Sequence, residues 1–492
     1  MKFKSTRGRV SDVTFEDGIF MGCASDGGLL MPELIPKLDI KTWGTWKDLS
    51  YVDLSVEILS LFISESEISK TELRDIVSKA YGSQFVCPIP QLTDNLYILE
   101  LFHGKTKAFK DIPLALVSQF LDFFLERQNK HVTLLVVTSG DTGSAAIESV
   151  RRSKYIDIVV LFPNGYCNKV QELQMTTVQD DNVHVFAVEG TSDNADVPMK
   201  ACLVDKEFVD EYNLGSINSM NIGRIVSQII YYFYAYFQVC QKVGEPVKIV
   251  VPTGGMGNIT AGCIAHKMGL PIALQSAVND NNSVYKTLTT GKFVQGETAI
   301  KTWSTAMDIQ VPSNMERILY LFSDSNASLI SALMKEFEEQ GTVQLPLELK
   351  EKVRNGFCFI KLESIISILK DIDIGETITS DWVSKDEVLA TMKRIWDTNQ
   401  YVLCPHTAVG VTVELRSRYA LAHSAMETKS IPCVCIATAS PAKFIEAVEA
   451  ANIEYIPPPE ILNLEKMKTR CEQMKKDEDW EEILRRKIIN IG

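Results

Sequence analysis

The sequence predicts an α/β protein with doubly wound, mostly parallel sheets. From Val132 onward, short apolar β-type runs alternate with segments of helical periodicity, and loops containing glycine follow several of these runs. At 492 residues the chain exceeds what one hydrophobic core supports, so more than one domain is expected. Ligands of such folds bind in the loops at the carboxyl ends of the strands.

Five apolar runs are predicted to be buried strands. They are VTLLVV from residue 132, IDIVVLF (156–162), VHVFAVEG from 183, VKIVVP (247–252) and PIALQSAV from 271. Helices are predicted between them, including residues 169–178 and a helix starting near residue 258. A capping box, Ser384 with Glu387, marks a further helix start.

The domain organisation is predicted in three parts. We expect residues 1–95 to form an N-terminal segment, residues 96–240 a smaller α/β domain, and residues 241–492 a larger α/β domain with C-terminal helices. Residues 341–384 are predicted to be peripheral helices, and residues 466–487 a solvated helical face.

Composition excludes several function classes. A net charge of -13 argues against nucleic acid or an anionic membrane as a standing partner. The eleven cysteines include one close pair, Cys433 and Cys435, whose C-x-C spacing fits neither a disulfide framework nor a zinc module, so we expect reduced thiols and no metal site. The N-terminus lacks the apolar core of a secretory signal, and the run at 229–240 is too short to span a bilayer. A cytoplasmic protein is expected, with mitochondrial import left open by the basic N-terminus.

Lys110 is the first candidate for chemistry. It follows Phe109 and precedes a predicted helix in which Asp111 is a good N-cap and Pro113 fits the first turn. The helix dipole and aromatic burial both disfavour a charged amine, and a neutral lysine is a nucleophile suited to a Schiff base. The alternative is an ordinary lysine that extends into solvent from a helix start.

Two loops between a predicted strand and helix are candidate anion sites. In VPTGGMGNITAG (251–262), closely spaced glycines let backbone N–H groups converge on an anion, and the loop matches neither a Walker A motif nor G-x-G-x-x-G. The alternative is a tight structural turn. In TSGDTGSAA (138–146), several hydroxyl and backbone N–H groups could bind a carboxylate.

Polar residues near a third helix start suggest phosphate recognition. Asn221, Arg224 and Gln228 fall on one stripe of an otherwise apolar helix, and arginine near a helix N-terminus suits phosphate. A structural salt bridge is the alternative for Arg224. Two late segments, CPHTAVG (404–410) and IATASPAKF (436–444), are each predicted to end a strand and enter a helix. They place His406, Thr407, Thr438 and Ser440 in loops, and we do not assign His406 as a metal ligand.

Together these motifs resemble the threonine synthase family, which consists of fold-type II (tryptophan synthase β-like) enzymes that use pyridoxal 5'-phosphate. The ordered matches run from STRG and SDGGLLMPE through LFHGKTKAFKD, TSGDTGSAA, SINSMNIGR, AMDIQVPSNMER and CPHTAVG to TASPAKF. The resemblance implies that Lys110 forms the Schiff base with the cofactor and lies in the smaller domain, while the larger domain carries the cofactor's phosphate loop.

The resemblance also implies roles for other residues. The cofactor phosphate would lie against Gly254, Gly255, Met256, Gly257 and Asn258, and the Thr438 hydroxyl against the pyridine nitrogen. The substrate α-carboxylate would lie against Ser139, Gly140, Asp141 and Thr142. The substrate phosphate would lie near Asn218, Ser219, Asn221 and Arg224.

Several positions depart from the pattern typical of enzymes that make threonine. Lys105 stands where FHGPT has proline, Ser440 where TAHPAKF has histidine, Met220 where isoleucine is usual, and GGMG replaces GNFG. This set is similar to the threonine synthase-like 2 group of animals. That resemblance implies a catabolic phospho-lyase that converts O-phosphohomoserine or O-phosphothreonine to 2-oxobutyrate, ammonia and phosphate. Threonine synthase, or a cofactor-binding protein without turnover, are the alternatives, and the oligomeric state is not predicted.

Overall fold

The computed structural model describes residues 1–82, 84–296, 298–356, 378–422 and 431–491. Two sheets organise these residues, together with two short strand pairs. The strands are β1 (Phe3–Ser5), β2 (Leu30–Pro32), β3 (Gln91–Thr93), β4 (Leu96–Glu100), β5 (Val132–Val137), β6 (Ile156–Pro163), β7 (Val183–Val188), β8 (Leu214–Gly215), β9 (Val247–Pro252), β10 (Ile272–Val278), β11 (Lys292–Val294), β12 (Thr342–Gln344), β13 (Ile378–Trp382), β14 (Cys433–Ala437) and β15 (Glu472–Met474).

Helices cover both sheets and connect most of the strands. They are α1 (Phe15–Phe20), α2 (Ile40–Gly44), α3 (Tyr51–Leu59), α4 (Lys70–Tyr81), α5 (Asp111–Gln128), α6 (Asp141–Val150), α7 (Lys169–Thr176), α8 (Ser192–Val204), α9 (Lys206–Tyr212), α10 (Ile222–Val239), α11 (Gly257–Lys267), α12 (Ser283–Thr290), α13 (Met315–Phe322), α14 (Ala327–Gln340), α15 (Leu347–Gly356), α16 (Lys385–Asn399), α17 (Pro405–Ala422), α18 (Ile445–Ala450), α19 (Pro459–Leu462) and α20 (Trp480–Ile491). No helix within these described ranges is both long and apolar enough to cross a membrane.

The larger sheet has six strands in the order β13-β10-β9-β14-β4-β3. All neighbours are parallel except β3 and β4. The central strands β9 and β14 are apolar on both faces because helices cover both sides of a parallel sheet. The carboxyl ends of β4, β14 and β9 therefore lie side by side at one edge of the sheet.

The smaller sheet has five parallel strands in the order β15-β7-β6-β5-β8. Its central strands, β5 and β6, are almost entirely buried apolar runs. Helix α10 is buried nearly all round and packs against α11, α5 and α3, so it lies in the middle of the molecule. The predicted fold class, a mostly parallel doubly wound α/β protein, is confirmed.

The five predicted strands and the capping box at Ser384 and Glu387 are all present. The two sheets nevertheless interleave along the chain, because β4 pairs with β14 and β15 pairs with β7. Lys110 thus follows a strand of the six-stranded sheet. The division into domains at residues 95 and 240 stays a prediction about independent units, but sheet membership does not follow it.

Three local predictions were wrong. Residues 401–404 join α16 to α17 without a strand, although IATASPAKF does leave a strand as expected. Residues 341–384 contain strands β12 and β13 besides α15, while 357–377 lie outside the described residues. The segment 466–487 includes strand β15, and its helix buries Leu484. Short edge strands carry too few residues to show alternation in the sequence.

Candidate active site

Lys110 is positioned by a backbone connection between two neighbouring loops. The Phe109 N–H donates to the Thr438 carbonyl over 2.7 Å, and the Ser440 N–H donates to the Lys107 carbonyl over 3.0 Å. These loops follow the parallel neighbours β4 and β14. The pairing holds Lys110 beside Thr438 at the shared edge of the larger sheet, where ligands of α/β proteins bind.

The start of helix α5 differs in one detail from the prediction. Lys110 is the N-cap residue and Asp111 is the first helical residue, so Asp111 does not cap the helix. Its carboxylate instead accepts hydrogen bonds from the Thr106 backbone N–H and hydroxyl, over 2.8 and 2.6 Å. Asp111 therefore closes the loop in front of Lys110, and Gly104 gives it room, because a Cβ there would lie 2.3 Å from the carboxylate.

Asp141 lies between the buried Lys443 and the partly buried Lys110. Its Oδ2 is 3.5 Å from Lys110 Nζ, and its Oδ1 is 2.9 Å from Lys443 Nζ. Gln171 Nε2 donates to the same Oδ1 over 2.9 Å. The Lys443 side chain is 0% exposed and that of Asp141 is 3% exposed, so water screens these contacts little. The sequence segments around 110, 141 and 443 meet here.

Burial and neighbouring charges determine the protonation of this cluster. Burial lowers the pKa of Lys110, and Arg224 and Lys443 lower it further, while Asp141 raises it. Burial works to raise the pKa of Asp141, but Lys443 and Lys110 hold that pKa well below its ordinary value. The carboxylate is thus a lasting anion, whereas the Lys110 amine loses its proton more readily than a surface lysine.

His406 is a neutral neighbour of these charges. Burial lowers the pKa of His406 to about 3, and Lys110 and Lys443 oppose its protonation while Asp141 favours it. Its Nε2 accepts a hydrogen bond from the Ala306 N–H over 3.1 Å, so Nδ1 carries the proton. Within the described part of the chain, Nδ1 has no hydrogen-bond partner. His406 therefore offers a buried donor.

The glycine loop between β9 and α11 forms a narrow cradle. Met256 adopts a left-handed backbone with φ 63° and serves as the N-cap of α11. A Cβ on Gly254 would lie 3.0 Å from the Ala306 carbonyl oxygen and 3.2 Å from Ile309 Cδ1, so glycine is needed for this close approach. The loop thus directs backbone N–H groups and a helix N-terminus toward the sheet edge, an arrangement that binds anions.

Asn258 occupies the first turn of α11 in a fixed orientation. Its Oδ1 accepts hydrogen bonds from the Tyr231 and Tyr232 hydroxyls, each over 2.8 Å. Its Nδ2 is buried and has no partner among the residues that the structure describes. An amide fixed in this way, with a free donor beside a glycine cradle, fits a polar ligand.

Asn314 and Arg317 support the glycine loop by hydrogen bonds. Asn314 Nδ2 donates to the Gly255 carbonyl over 2.9 Å, and Asn314 Oδ1 accepts from Arg317 over 2.5 Å. Arg317 is 0% exposed and also donates to the carbonyls of Leu30 and Met220. The N-terminal segment is therefore connected to the glycine loop through one guanidinium.

Arg224 is a buried cation at the start of α10. It donates to the Ile217 carbonyl over 3.1 Å, and none of the described carboxylates forms an ion pair with it. Burial lowers the pKa of Arg224, but it remains a cation at neutral pH. The structural salt bridge considered as an alternative is thus absent from the described residues. The charge of Arg224 lowers the pKa of Lys110.

The other predicted phosphate residues differ in how available they are. The Asn221 side chain accepts from the Gly223 N–H and donates to the carbonyls of Ile19 and Ser216, so it is fully used by the fold. Ser219 Oγ lies 3.8 Å from a Cβ built on Gly255 and 3.0 Å from Ser313 Oγ, so it faces the glycine loop. Asn218 is partly exposed, and its buried Oδ1 lacks a partner in the described ranges.

The loop at residues 138–142 combines backbone and side-chain groups of different availability. Ser139 is exposed and Thr142 is partly buried, so both can reach a ligand. Gly140 has φ 143°, and a Cβ there would lie 2.5 Å from the Gln171 side chain. The Asp141 carboxylate faces Lys110 and Lys443, so only its backbone N–H remains suited to bind a carboxylate.

Sequence reasoning missed Lys443 and the support from Asn314 and Arg317. Lys443 stood inside the noted segment IATASPAKF, where a lysine among apolar residues after a strand was the available signal. Asn314 and Arg317 lay in the noted motif AMDIQVPSNMER, but nothing local indicated their partners. His406 was noted without a role.

Comparison with known proteins identifies the family. A family model described as pyridoxal-phosphate dependent enzyme matches residues 77–336, and models described as threonine synthase N terminus and threonine synthase, C-terminal match residues 2–81 and 407–485. The chain belongs to the threonine synthase-like family of pyridoxal-phosphate-dependent enzymes. It is similar to threonine synthase-like 2 of Xenopus laevis, at 47% identity with 100% of this chain and 99% of that protein covered.

Other members of the threonine synthase-like family give the same result. Threonine synthase-like 2 of Homo sapiens is 45% identical over 100% of this chain and 98% of its own. Threonine synthase of Saccharomyces cerevisiae is 39% identical over 91% of this chain and 88% of its own. The crystal structure of pyridoxal-phosphate-bound threonine synthase from Brucella melitensis superposes with a TM-score of 0.87 at 32% identity, covering 100% of this chain and 99% of that one.

The cofactor of this threonine synthase-like protein is pyridoxal 5'-phosphate. The site fits it. The narrow cradle at Gly254 and the orphaned Nδ2 of Asn258 suit a polar, anionic group, and the partly buried amine of Lys110 lies at the same edge of the sheet. The cofactor predicted from the sequence is thereby confirmed.

Proposed function

We propose that the protein is a phospho-lyase that removes phosphate from O-phosphohomoserine, O-phosphothreonine or both, giving 2-oxobutyrate, ammonia and phosphate. The observation that carries the proposal is the partly buried amine of Lys110, which contacts Asp141 and whose pKa is lowered by Arg224, a cation without an ion pair in the described chain. Such a cluster combines a group that can accept a proton with a group that can bind a leaving phosphate.

The residues that would hold the cofactor lie on three loops. The backbone of Gly254, Gly255, Met256 and Gly257, with Asn258, would bind its phosphate, Lys110 would condense with its aldehyde, and the Thr438 hydroxyl would face its ring nitrogen. When bound, the cofactor supplies an aldehyde that condenses with amines and a ring that accepts the electron pair left at the substrate α carbon. A hydroxyl at the ring nitrogen does not enforce a protonated ring.

Lys110 would act as the base. When it is not bonded to the cofactor, the Lys110 amine would accept the substrate α-proton, because its lowered pKa favours the neutral form. Asp141, held by Lys443 and Gln171, fixes one side of that amine. Lys110 Nζ also lies 5.2 Å from the centre of the Phe109 ring.

Arg224 would stabilise the departing phosphate. Phosphate would leave with the electron pair of its C–O bond, so negative charge would grow on it as the bond breaks. Arg224, buried and free of a carboxylate within the described chain, can neutralise this charge, with Ser219 and Asn218 as further polar contacts. Loss of the α-proton suffices when the phosphate is on the β carbon, as in O-phosphothreonine, whereas a β-proton must also leave when it is on the γ carbon, as in O-phosphohomoserine. Ser139, Thr142 and the backbone of Gly140 and Asp141 would bind the α-carboxylate. Water then hydrolyses the released enamine to 2-oxobutyrate and ammonia.

The proposal of a lyase over a synthase is supported by a higher sequence identity to threonine synthase-like 2 proteins than to threonine synthases. The chain is 45–47% identical to threonine synthase-like 2 proteins and 36–39% identical to fungal threonine synthases. Threonine synthase, which adds water at the β carbon and releases threonine, is the second candidate, because several solved relatives carry that name. The early steps of both reactions use the same residues.

A product assay separates the candidates. Purified protein with added pyridoxal 5'-phosphate is incubated with O-phosphohomoserine and, separately, with O-phosphothreonine, and phosphate, 2-oxobutyrate and threonine are measured. We expect 2-oxobutyrate in a one-to-one ratio with phosphate. Threonine as the main product would establish the synthase instead, and no phosphate release from either substrate would favour a cofactor-binding protein without turnover.

A further inference from the structure

Lys443 has no part in the proposed reaction, yet it is the most deeply buried charged group of the cluster. Its Nζ lies 2.9 Å from Asp141 Oδ1, and its side chain is 0% exposed. It comes from the short 3-10 turn Pro441–Lys443 directly after β14. The turn is itself capped by Ser440, whose Oγ accepts from the Ala442 N–H. This turn therefore fixes the Lys443 cation against the Asp141 carboxylate.

The two lysines compete for the same carboxylate. Lys443 Nζ lies beside Oδ1 as an ion pair but donates no hydrogen bond among the described residues, whereas Gln171 donates to Oδ1 and Lys110 lies 3.5 Å from Oδ2. A carboxylate alone beside Lys110 would hold its ammonium form and suppress its reactivity. A second fixed cation on the other oxygen offsets most of that attraction and adds repulsion of its own.

We propose that Lys443 is a positioning residue that favours the neutral form of Lys110 by offsetting the charge of Asp141 from the far side of that carboxylate. The proposal depends on the proposed role of Lys110 as the amine that condenses with the cofactor. Asp141 then serves as a fixed anchor for the Lys110 side chain without holding a proton on it. In this role Lys443 acts through Asp141.

The other groups that face Lys110 do not replace this effect. Arg224, from α10, is a cation that also opposes protonation of Lys110, and His406, from α17, is neutral. Asp141, from α6, is the carboxylate that favours protonation. Without Lys443, the carboxylate would act on Lys110 with its full charge.

The test measures the reactive fraction of Lys110 directly, without relying on catalysis. The full-length protein, freed of cofactor, is mixed with pyridoxal 5'-phosphate at a series of pH values, reduced with borohydride after short times, and digested. Mass spectrometry gives the rate at which the Lys110 peptide is labelled. Because only the neutral amine condenses with an aldehyde, the pH at which this rate is half-maximal reports the protonation of Lys110.

For Lys443→Met we expect the half-maximal pH to rise by about one to two units. Lys443→Arg keeps the cation and should stay within about 0.3 units of the unchanged protein. Lys105→Met, which removes an exposed cation from the loop before Lys110, is the matched control and should cause no shift. An unshifted profile for Lys443→Met would overturn the proposal.

Two further results keep the test decisive. If Lys443→Met does not fold, the double variant Asp141→Asn, Lys443→Met removes both charges together and avoids a buried unpaired carboxylate. Because the proposal holds that Lys443 neutralises Asp141, removing both charges together should leave the half-maximal pH within about 0.5 units of that of the unchanged protein. A fall of about one unit or more would mean that Asp141 acts on Lys110 with its full charge despite Lys443, and would contradict the proposal. Label on a lysine other than Lys110 would instead refute the proposed function.

Discussion

The two sides of the site are built in opposite ways. The Lys110 side consists of titratable side chains from four distant segments, Lys110, Asp141, His406 and Lys443, arranged around one carboxylate. The glycine-loop side consists of backbone from one continuous segment, residues 254–258, supported by the Asn314 amide and, behind it, the Arg317 guanidinium. Charges on the Lys110 side can change the protonation of Lys110, whereas the glycine loop acts on a ligand through its backbone shape. Substitutions on the Lys110 side should therefore alter the pH dependence of the protein, whereas substitutions on the glycine-loop side should alter its affinity for the cofactor.

Loss of the reactive amine should have the largest effect. In Lys110→Ala we expect covalent attachment of the cofactor to vanish and phosphate release to fall by about a thousandfold or more, because the base and the condensing amine are the same group. The glycine loop remains intact, so non-covalent cofactor binding should persist. Visible absorbance and equilibrium dialysis measure the two properties. Lys105→Ala is the control, and a Lys110→Ala protein with normal attachment would contradict the comparison.

Removing the support of the glycine loop should cost stability and affinity together. Arg317→Leu deletes donors to Asn314, Leu30 and Met220 inside the core and should lower the free energy of unfolding by about 2–4 kcal/mol. Denaturant titration measures this loss. Arg486→Leu removes an exposed arginine paired with Glu482 and should change stability by less than about 1 kcal/mol.

The same Arg317→Leu variant also tests whether the two sides are separable. Its cofactor dissociation constant should increase, while the pH profile of Lys110 labelling should keep its midpoint, because Arg317 faces the glycine loop through Asn314. A large shift in that midpoint would show that the two sides are coupled.

A methyl group in the cradle should weaken cofactor binding alone. Gly254→Ala places a Cβ 3.0 Å from the Ala306 carbonyl oxygen, so the loop must move, and we expect the cofactor dissociation constant to rise about tenfold. Fluorescence titration with pyridoxal 5'-phosphate measures it. Gly44→Ala, whose added Cβ would lie at an ordinary 3.4 Å from Val243, is the control. Unchanged affinity in Gly254→Ala would show that the loop does not bind the phosphate.

His406 should give the smallest effect at neutral pH, and a larger one only as the pH falls. Its folded pKa of about 3 lies below the ordinary 6.5, so the unfolded chain binds the extra proton, and stability present above pH 6.5 is lost as pH falls toward 3. The expected slope is up to about 1.4 kcal/mol per pH unit between these values. Asp111, whose pKa burial raises to about 6, contributes with the opposite sign.

The variant His406→Gln isolates this contribution. Glutamine can accept the Ala306 N–H but does not titrate, so the difference in unfolding free energy between the two proteins should decrease from pH 6.5 to 4. Urea titrations at each pH measure it. A difference that is independent of pH would mean that His406 is protonated in the folded state.

More of the glycine-loop side than of the Lys110 side could be predicted from the sequence. The glycine loop could be located from the sequence because its strand, glycines and helix are contiguous, and Lys110 because of its aromatic neighbour and helix start. The partners of Lys110 could not, since Asp141 and Lys443 meet only through strand order, and β4 pairs with β14 across more than three hundred residues. Asn221 was predicted near the substrate phosphate, but its amide groups are used within the fold.

The most direct test determines which of two lysine amines forms the covalent bond with the cofactor. Lys110 and Lys443 contact the same carboxylate, and only Lys110 is expected to react. Borohydride reduction of the cofactor-loaded, full-length protein, followed by peptide mass spectrometry, reads the answer. The account predicts one phosphopyridoxyl label per chain, on Lys110. A label on Lys443, or labels spread over surface lysines, would contradict it.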